Sequence, residues 1–129
     1  MVTAMNDTTQ APVRFGRIAA TLPVADMERA TAFYIGVLGF ENVFENGHPV
    51  GFIILEKDGA ELHLTLQPGH KAPSFNVAHM MVGNVDALHA LIQRQGLRIV
   101  KRLQDKDYGL RAFVFEDPDG NRIDVGQQI

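Results

Sequence analysis

The chain states one pattern twice. Val24-Ala25-Asp26-Met27-Glu28-Arg29-Ala30-Thr31-Ala32-Phe33-Tyr34 is answered by Val82-Gly83-Asn84-Val85-Asp86-Ala87-Leu88-His89-Ala90-Leu91-Ile92, a step of 58 from Val24 to Val82. Further on, Asp58-Gly59 is answered by Asp119-Gly120, a step of 61. Self-similarity at a fixed period is the mark of a duplicated unit. In a chain of 129 residues each unit holds about half the length, too little to bury much core alone. The two units must therefore share a core or exchange between subunits, and the seam between them is a natural ligand site.

Each unit reads as βαβββ. Arg17 to Val24 alternates, as a half-buried strand does. Asp26 is suited to cap the following helix, whose apolar stripe is Met27, Ala30, Phe33, Tyr34, Val37 and Leu38. Gly39 ends it. Strands follow at 41–45, 50–57 and 61–67, separated by the turn signals Asn46-Gly47 and Asp58-Gly59. After a polar stretch the order repeats: strand 76–82, cap Asn84, a helix striped by Val85, Leu88, Leu91 and Ile92, then strands 98–103, 110–116 and 121–126. The organisation predicted is a tail at 1–13, a first module at 14–67, a linker at 68–75 and a second module at 76–129, forming one structural domain. The rival is a single eight-stranded sheet without duplication. It is disfavoured because cap, stripe and following strands agree together.

Composition narrows the class. A net charge of −3 argues against a nucleic-acid backbone as partner. Cysteine is absent, which removes disulfides and thiolate metal sites. The first twelve residues show no basic, apolar signal-peptide pattern. With no apolar run long enough to span a bilayer, the expectation is a cytoplasmic protein with no membrane partner.

The period of two assigns faces. Leu62, Leu64 and Leu66 alternate with Glu61, His63 and Thr65; Ile123 and Val125 alternate with Arg122 and Asp124. Ala78, Met80 and Val82 match Ala20, Leu22 and Val24 and belong under a helix, leaving Val77, His79 and Met81 on the other side. Each sheet thus has a dry face and a mixed one. The mixed face, which includes Arg17, Ala19 and Thr21, is either solvated surface or the wall of a curved cleft, since unpaired charge is not buried. From it the candidate ligand-binding residues are Thr21, His63, Val77, His79 and Asp124. Arg111, after Tyr108-Gly109, joins them, either as a clamp for a carboxylate or phosphate or, the favoured reading, as one half of a surface or dimer-interface pair. Asp124 has Arg122, Arg17 or a histidine as a prospective partner. Phe52 is matched to Phe113 by the step of 61, and such aromatics are either core or a stacking wall. His48, His70 and His89 receive no role.

Several motifs in order resemble a known family. Leu22-Pro23-Val24-Ala25-Asp26-Met27-Glu28-Arg29-Ala30, then Phe33-Tyr34 and Leu38-Gly39-Phe40, resemble the opening of the vicinal oxygen chelate superfamily. Asp117-Pro118-Asp119-Gly120-Asn121 resembles its closing turn. Asn84 to Ala90, Tyr108 to Phe113 and Gly126-Gln127 look most like the bleomycin-resistance branch. The resemblance spans about residues 15 to 128. It implies an α+β fold of two tandem βαβββ modules forming a curved mixed sheet, in a homodimer. It also implies, in the enzymes, one divalent metal with ligands on the first and fourth strands of each module. Carried across, those positions are Ala19, His63, Val77 and Asp124. Only His63 and Asp124 can ligate, with His79 one pleat away as a third donor, so the chain departs from the metalloenzyme pattern at both first-strand positions.

The functional expectation is a protein that binds or sequesters a small amphipathic ligand in a groove between modules, with no cofactor. With no tryptophan, extended heteroaromatic stacking rests on few side chains, and bleomycin itself is not the ligand expected. The alternative is a metal-dependent lyase, isomerase, dioxygenase or thiol transferase, using His63, Asp124 and His79. Acid–base catalysis without metal by the same three residues is a further alternative.

Overall fold

The computed structural model describes residues 11–129. The tail expected at 1–13 lies outside the described residues as far as Gln10. Residues 12–19 carry no regular structure. The elements are β1 (Ala20–Val24), α1 (Met27–Thr31) continuing into a π-helical segment (Ala32–Val37), β2 (Glu41–Asn46), β3 (Phe52–Lys57), β4 (Ala60–Leu66), β5 (Asn76–Met81), α2 (Val85–Arg94), β6 (Ile99–Asp105), β7 (Leu110–Glu116) and β8 (Arg122–Gln128). The mixed sheet expected is divided into two, ordered β1-β4-β3-β2 and β5-β8-β7-β6. In each, the first strand lies parallel to the fourth and the other pairs are antiparallel. The fold is α+β, βαβββ twice.

The caps form as their side-chain chemistry dictates. Asp26 Oδ1 accepts from the Arg29 amide at 3.0 Å and Asn84 Oδ1 from the Ala87 amide at 3.1 Å, each supplying a partner to an orphan N–H of the first turn. The first helix departs from regular α-helical hydrogen bonding. The Leu38 amide reaches back five residues to Phe33 O at 2.9 Å, a widened turn, while Phe33 and Tyr34 of the predicted stripe are both buried. The first strand also starts later than alternation predicts, at Ala20 rather than Arg17. Arg17 instead turns its guanidinium to Gly59 O at 3.3 Å and Glu61 Oε1 at 2.8 Å, at the end of the β3–β4 hairpin.

Both sheets give their dry faces to one core. Leu22, Ile53 and Leu64 from the first module and Phe113, Phe115 and Val125 from the second belong to a single buried cluster. Phe33 meets Phe115 edge-on, ring centres 6.1 Å apart. Buried apolar side chains of this size are each worth roughly 1.5–3 kcal/mol.

The internal symmetry sorts the mixed faces, with one correction. Thr21 pairs in register with His63, and His79 with Asp124, which are the steps of 58 and 61. Phe52, however, lies opposite Thr65, whose mate Gly126 faces Ala112. Phe52 therefore corresponds to Ala112, not Phe113. The closing turn of the second module is longer, and a one-residue slip sends a side chain to the other face. Phe113 sits in the core and Phe52 on the open face. Val77 also departs from alternation: the register shifts between Asn76 and Ala78, and Val77 packs against the shared core.

Candidate functional site

On the open face of the first sheet, His63 lies between an aromatic ring and an acid. Phe52 meets it edge-on at 5.5 Å and Phe44 meets Phe52 at 6.3 Å. His63 Nε2 is 2.6 Å from Glu61 Oε2. An ionised carboxylate only accepts, so Nε2 carries the proton. The hydrogen bond from His63, aided by Arg17, holds the Glu61 carboxyl below the usual range.

On the open face of the second sheet, His79 Nδ1 is 2.7 Å from Asp124 Oδ2. The carboxylate thereby fixes the tautomer with Nδ1–H, leaving the Nε2 lone pair outward, 3.2 Å from Met81 Sδ. The two side chains roof over Gly126. A Cβ there would come 3.6 Å from His79 Cε1 and 3.7 Å from Met81 Sδ. Of the partners the sequence leaves open for Asp124, the structure selects the histidine.

A cleft of about 1110 Å³ opens at the seam. One wall is the β3–β4 turn with Gly59 and Leu62; the other is the end of β5 with Val82 and Gly83. Leu38, Phe40, Leu88 and Phe115 form an apolar floor, while Arg17, Glu61 and His79 supply the polar groups. The two halves differ in one turn. In the second module residues 117–121 intervene between β7 and β8, and they reach across to the first module. The Tyr34 hydroxyl donates to Asp117 Oδ2 at 2.7 Å, Asn121 Nδ2 donates to Pro23 O at 2.9 Å, and Asp119 Oδ1 accepts from the Ala25 amide at 2.8 Å. His70 Nε2 closes on Asn121 Oδ1 at 3.0 Å. In the first module only Asp58 and Gly59 intervene between β3 and β4. By the step of 58, Pro23 and Ala25 correspond to Met81 and Gly83, the very place where the cleft stands open. The seam is latched at one end and open at the other.

The predicted residues divide accordingly. Val77 and His79 line the cleft. Thr21, His63 and Asp124 lie outside its lining, in register pairs that stay within their own modules. Arg111 is held internally, by Asp86 at 2.9 Å and Asp105 at 3.1 Å; its hydrogen bond, aided by its charge, holds the Asp86 carboxyl below the usual range. Among the described residues no three His, Asp or Glu side chains form a group that could hold a metal ion; of the two positions carried across for the first strands, Ala19 falls just before β1 and Val77 lies within β5, and both are aliphatic. Within the chain His63 does not join His79 and Asp124. Sequence reasoning missed the latch, though a tyrosine on a buried stripe needs a hydroxyl partner and an Asp-Pro-Asp-Gly-Asn turn supplies one. It also missed His70.

Comparisons with known proteins agree with this architecture. The profile of the Glyoxalase/Bleomycin resistance protein/Dioxygenase superfamily matches residues 14–125. A superfamily member from Sphaerobacter thermophilus DSM 20745 is 28% identical, with 85% of this chain and 94% of that chain covered and a TM-score of 0.72. TnmS3, an antibiotic binding protein from Streptomyces sp. CB03234, is 25% identical over 92% of this chain and 100% of its own, with a TM-score of 0.70. The bleomycin-binding protein from bleomycin-producing Streptomyces verticillus, complexed with copper(II)-bleomycin, shares the fold at 21% identity, 92% and 100% coverage and a TM-score of 0.70. A search of curated proteins finds no match. The chain belongs to the Glyoxalase/Bleomycin resistance protein/Dioxygenase superfamily.

Proposed function

We propose that this protein binds a small amphipathic molecule in the seam cleft and holds it without transforming it. The observation that carries this reading is the cleft itself. Its volume of about 1110 Å³ is slightly larger than the usual ligand pocket, and an apolar floor beneath a few polar groups is how such pockets are built. The floor accepts the apolar body of a ligand. Arg17, Glu61 and the outward Nε2 of His79 offer both donor and acceptor chemistry to its polar end. Antibiotic-binding and bleomycin-binding relatives of the same fold support binding as the role. The binding form we propose is a homodimer with no resident metal, because the donor set departs from four converging ligands. A cytoplasmic location fits a chain without cysteine, and no helix among the described residues is long and apolar enough to cross a membrane.

The test fills the cleft from either wall. Gly59 and Gly83 each face open space at the position a Cβ would take, and neither has a positive φ, so a side chain enters without backbone strain. The probe is 1-anilinonaphthalene-8-sulfonate, followed by fluorescence and displaced by a panel of amphipathic aromatic compounds. The expected result is saturable micromolar binding to the folded protein. Gly59→Trp and Gly83→Trp should each weaken it at least tenfold while leaving circular dichroism unchanged. Equal affinity in both variants and the wild type would overturn the assignment of the cleft.

A further inference from the structure

We propose that His79 and Asp124 decide which molecule the cleft takes: Nε2 of His79 is a fixed acceptor for the ring N–H of a heteroaromatic ligand of the indole or carbazole kind. This choice of ligand presupposes the cleft assigned above as the binding site.

The chemistry follows from where the protons lie. His79 Nδ1 is 2.7 Å from Asp124 Oδ2, and an ionised carboxylate only accepts, so Nδ1 carries the proton and Nε2 keeps its lone pair. Among the described residues the neighbour within hydrogen-bond distance of Nε2 is Met81 Sδ, at 3.2 Å. A thioether has no proton to give. Two acceptors therefore face each other, and the stronger of them is without a donor. The imidazole lines the cleft with its side chain 46% exposed, so a ligand reaches it directly.

The polar groups across the cleft are matched already. Arg17 holds Glu61 at 2.8 Å and Glu56 at 3.6 Å, and Glu61 Oε2 takes the Nε2–H of His63 at 2.6 Å. To use Arg17 or Glu61 a ligand must break one of these bonds. At His79 it displaces only a thioether contact. Met81 is 50% exposed and its side chain is unbranched, so the sulfur is free to leave Nε2 and pack against the edge of an incoming ring.

The same arrangement selects among donors. An ammonium brings three N–H groups and meets one strong acceptor. A hydroxyl brings an oxygen that needs a donor of its own, and neither Nε2 nor Sδ supplies one. An aromatic ring N–H donates once and asks for nothing more, as the indole of tryptophan does. Its flat apolar body suits the floor of Leu38, Phe40, Leu88 and Phe115. An analogue with oxygen in place of N–H sets its lone pair against that of Nε2 and is disfavoured. Asp124 is a positioning residue, acting on the ligand only through the imidazole.

The experiment is equilibrium dialysis of the full chain with 2-phenylindole and 2-phenylbenzofuran, which differ by N–H against O at one ring position. It is run at mildly alkaline pH, where an imidazole is neutral. The expected result is that the wild type holds 2-phenylindole about tenfold more tightly, both compounds displacing 1-anilinonaphthalene-8-sulfonate. His79→Leu should bring the two affinities within twofold of each other, with an unchanged circular dichroism spectrum. Nitrogen NMR of the imidazole in the wild type should show Nδ1 protonated and Nε2 bare, and 2-phenylindole should move the Nε2 resonance. Asp124→Ala should pass the proton partly to Nε2 and cut the preference at least threefold, a tautomer change that loss of a structural contact alone does not produce. Equal affinity for the two compounds while the dye still binds, a preference that survives either substitution, or a protonated Nε2 in the free wild type would overturn the inference and leave the cleft reading standing. Failure of the dye and of both compounds to bind would overturn the cleft reading and this inference with it.

Discussion

Tyr34 and Asp117 show how much one buried pair governs here. Burial raises the Asp117 carboxyl above the usual range, and hydrogen bonds from Tyr34 and Asn121 pull it partway back. Tyr34 is pushed up in turn, first by its own burial and then by the neighbouring carboxylate. A carboxyl raised on folding contributes stability that is present below its unfolded pKa and lost as pH rises through the folded one. At neutral pH Asp117 is therefore tolerated only because donors surround its charge. Tyr34→Phe removes one donor and pushes the carboxyl higher still. The expected loss is about 1–2 kcal/mol at pH 7, shrinking as the medium is acidified and Asp117 protonates. Urea unfolding at pH 7 and at mildly acidic pH measures the trend; a loss that grows toward acid would contradict this account of the pair. The pair was half legible in the sequence. Tyr34 was placed on the buried stripe and Asp117 in a turn, but only the chain path joins residues 83 positions apart.

At the scale of elements, strand order, caps and sidedness were legible because they depend on local chemistry with periods of 2 and 3.6. What failed were departures from those periods. The π-helical turn after Thr31, the bulge at Val77 and the longer closing turn each insert or displace a residue, and nothing in a pattern of alternation marks where. The Phe52–Phe113 match failed for the same reason. Arg111 is a different case. Its type suits either a clamp on a ligand anion or a surface pair, and α2 and β6 bring Asp86 and Asp105 to it. This yields a prediction about the joint between α2, β6 and β7. Arg111→Leu should leave dye binding in the cleft unchanged and lower the Tm by at most about 4 °C, since exposed pairs contribute little. Asp86 is held below its usual range, so the pair's contribution exists above the unfolded carboxylate pKa and vanishes as pH falls through the folded one. The Tm difference between variant and wild type should close on acidification. Binding lost with Arg111 would return it to the ligand site.

At the scale of the molecule, duplication makes two modules and the core makes them one. Neither sheet has a dry face of its own to spare: Phe33 from the first module fills space against Phe115 of the second, and the latch at Asp117 to Asn121 closes across the same seam. Two units that bury their apolar faces in each other unfold together. Calorimetry should therefore show one transition, without a shoulder, despite the repeat. Phe115→Ala opens a cavity in the shared floor and should cost about 3–5 kcal/mol, lowering that single transition rather than splitting off the second module. Phe33→Ala attacks the same contact from the other side, so the double variant should lose less than the two single losses added together, by at least about 0.5 kcal/mol. Hydrogen exchange on β4 and β8 reports each module separately, and both should lose protection in parallel in either variant. If β8 alone opens in Phe115→Ala while β4 stays protected, the modules are autonomous and the seam is only a contact. In that case a cleft between them would also widen and close with their motion, and dye affinity would fall with the Phe115 substitution far more than the loss of one wall residue explains.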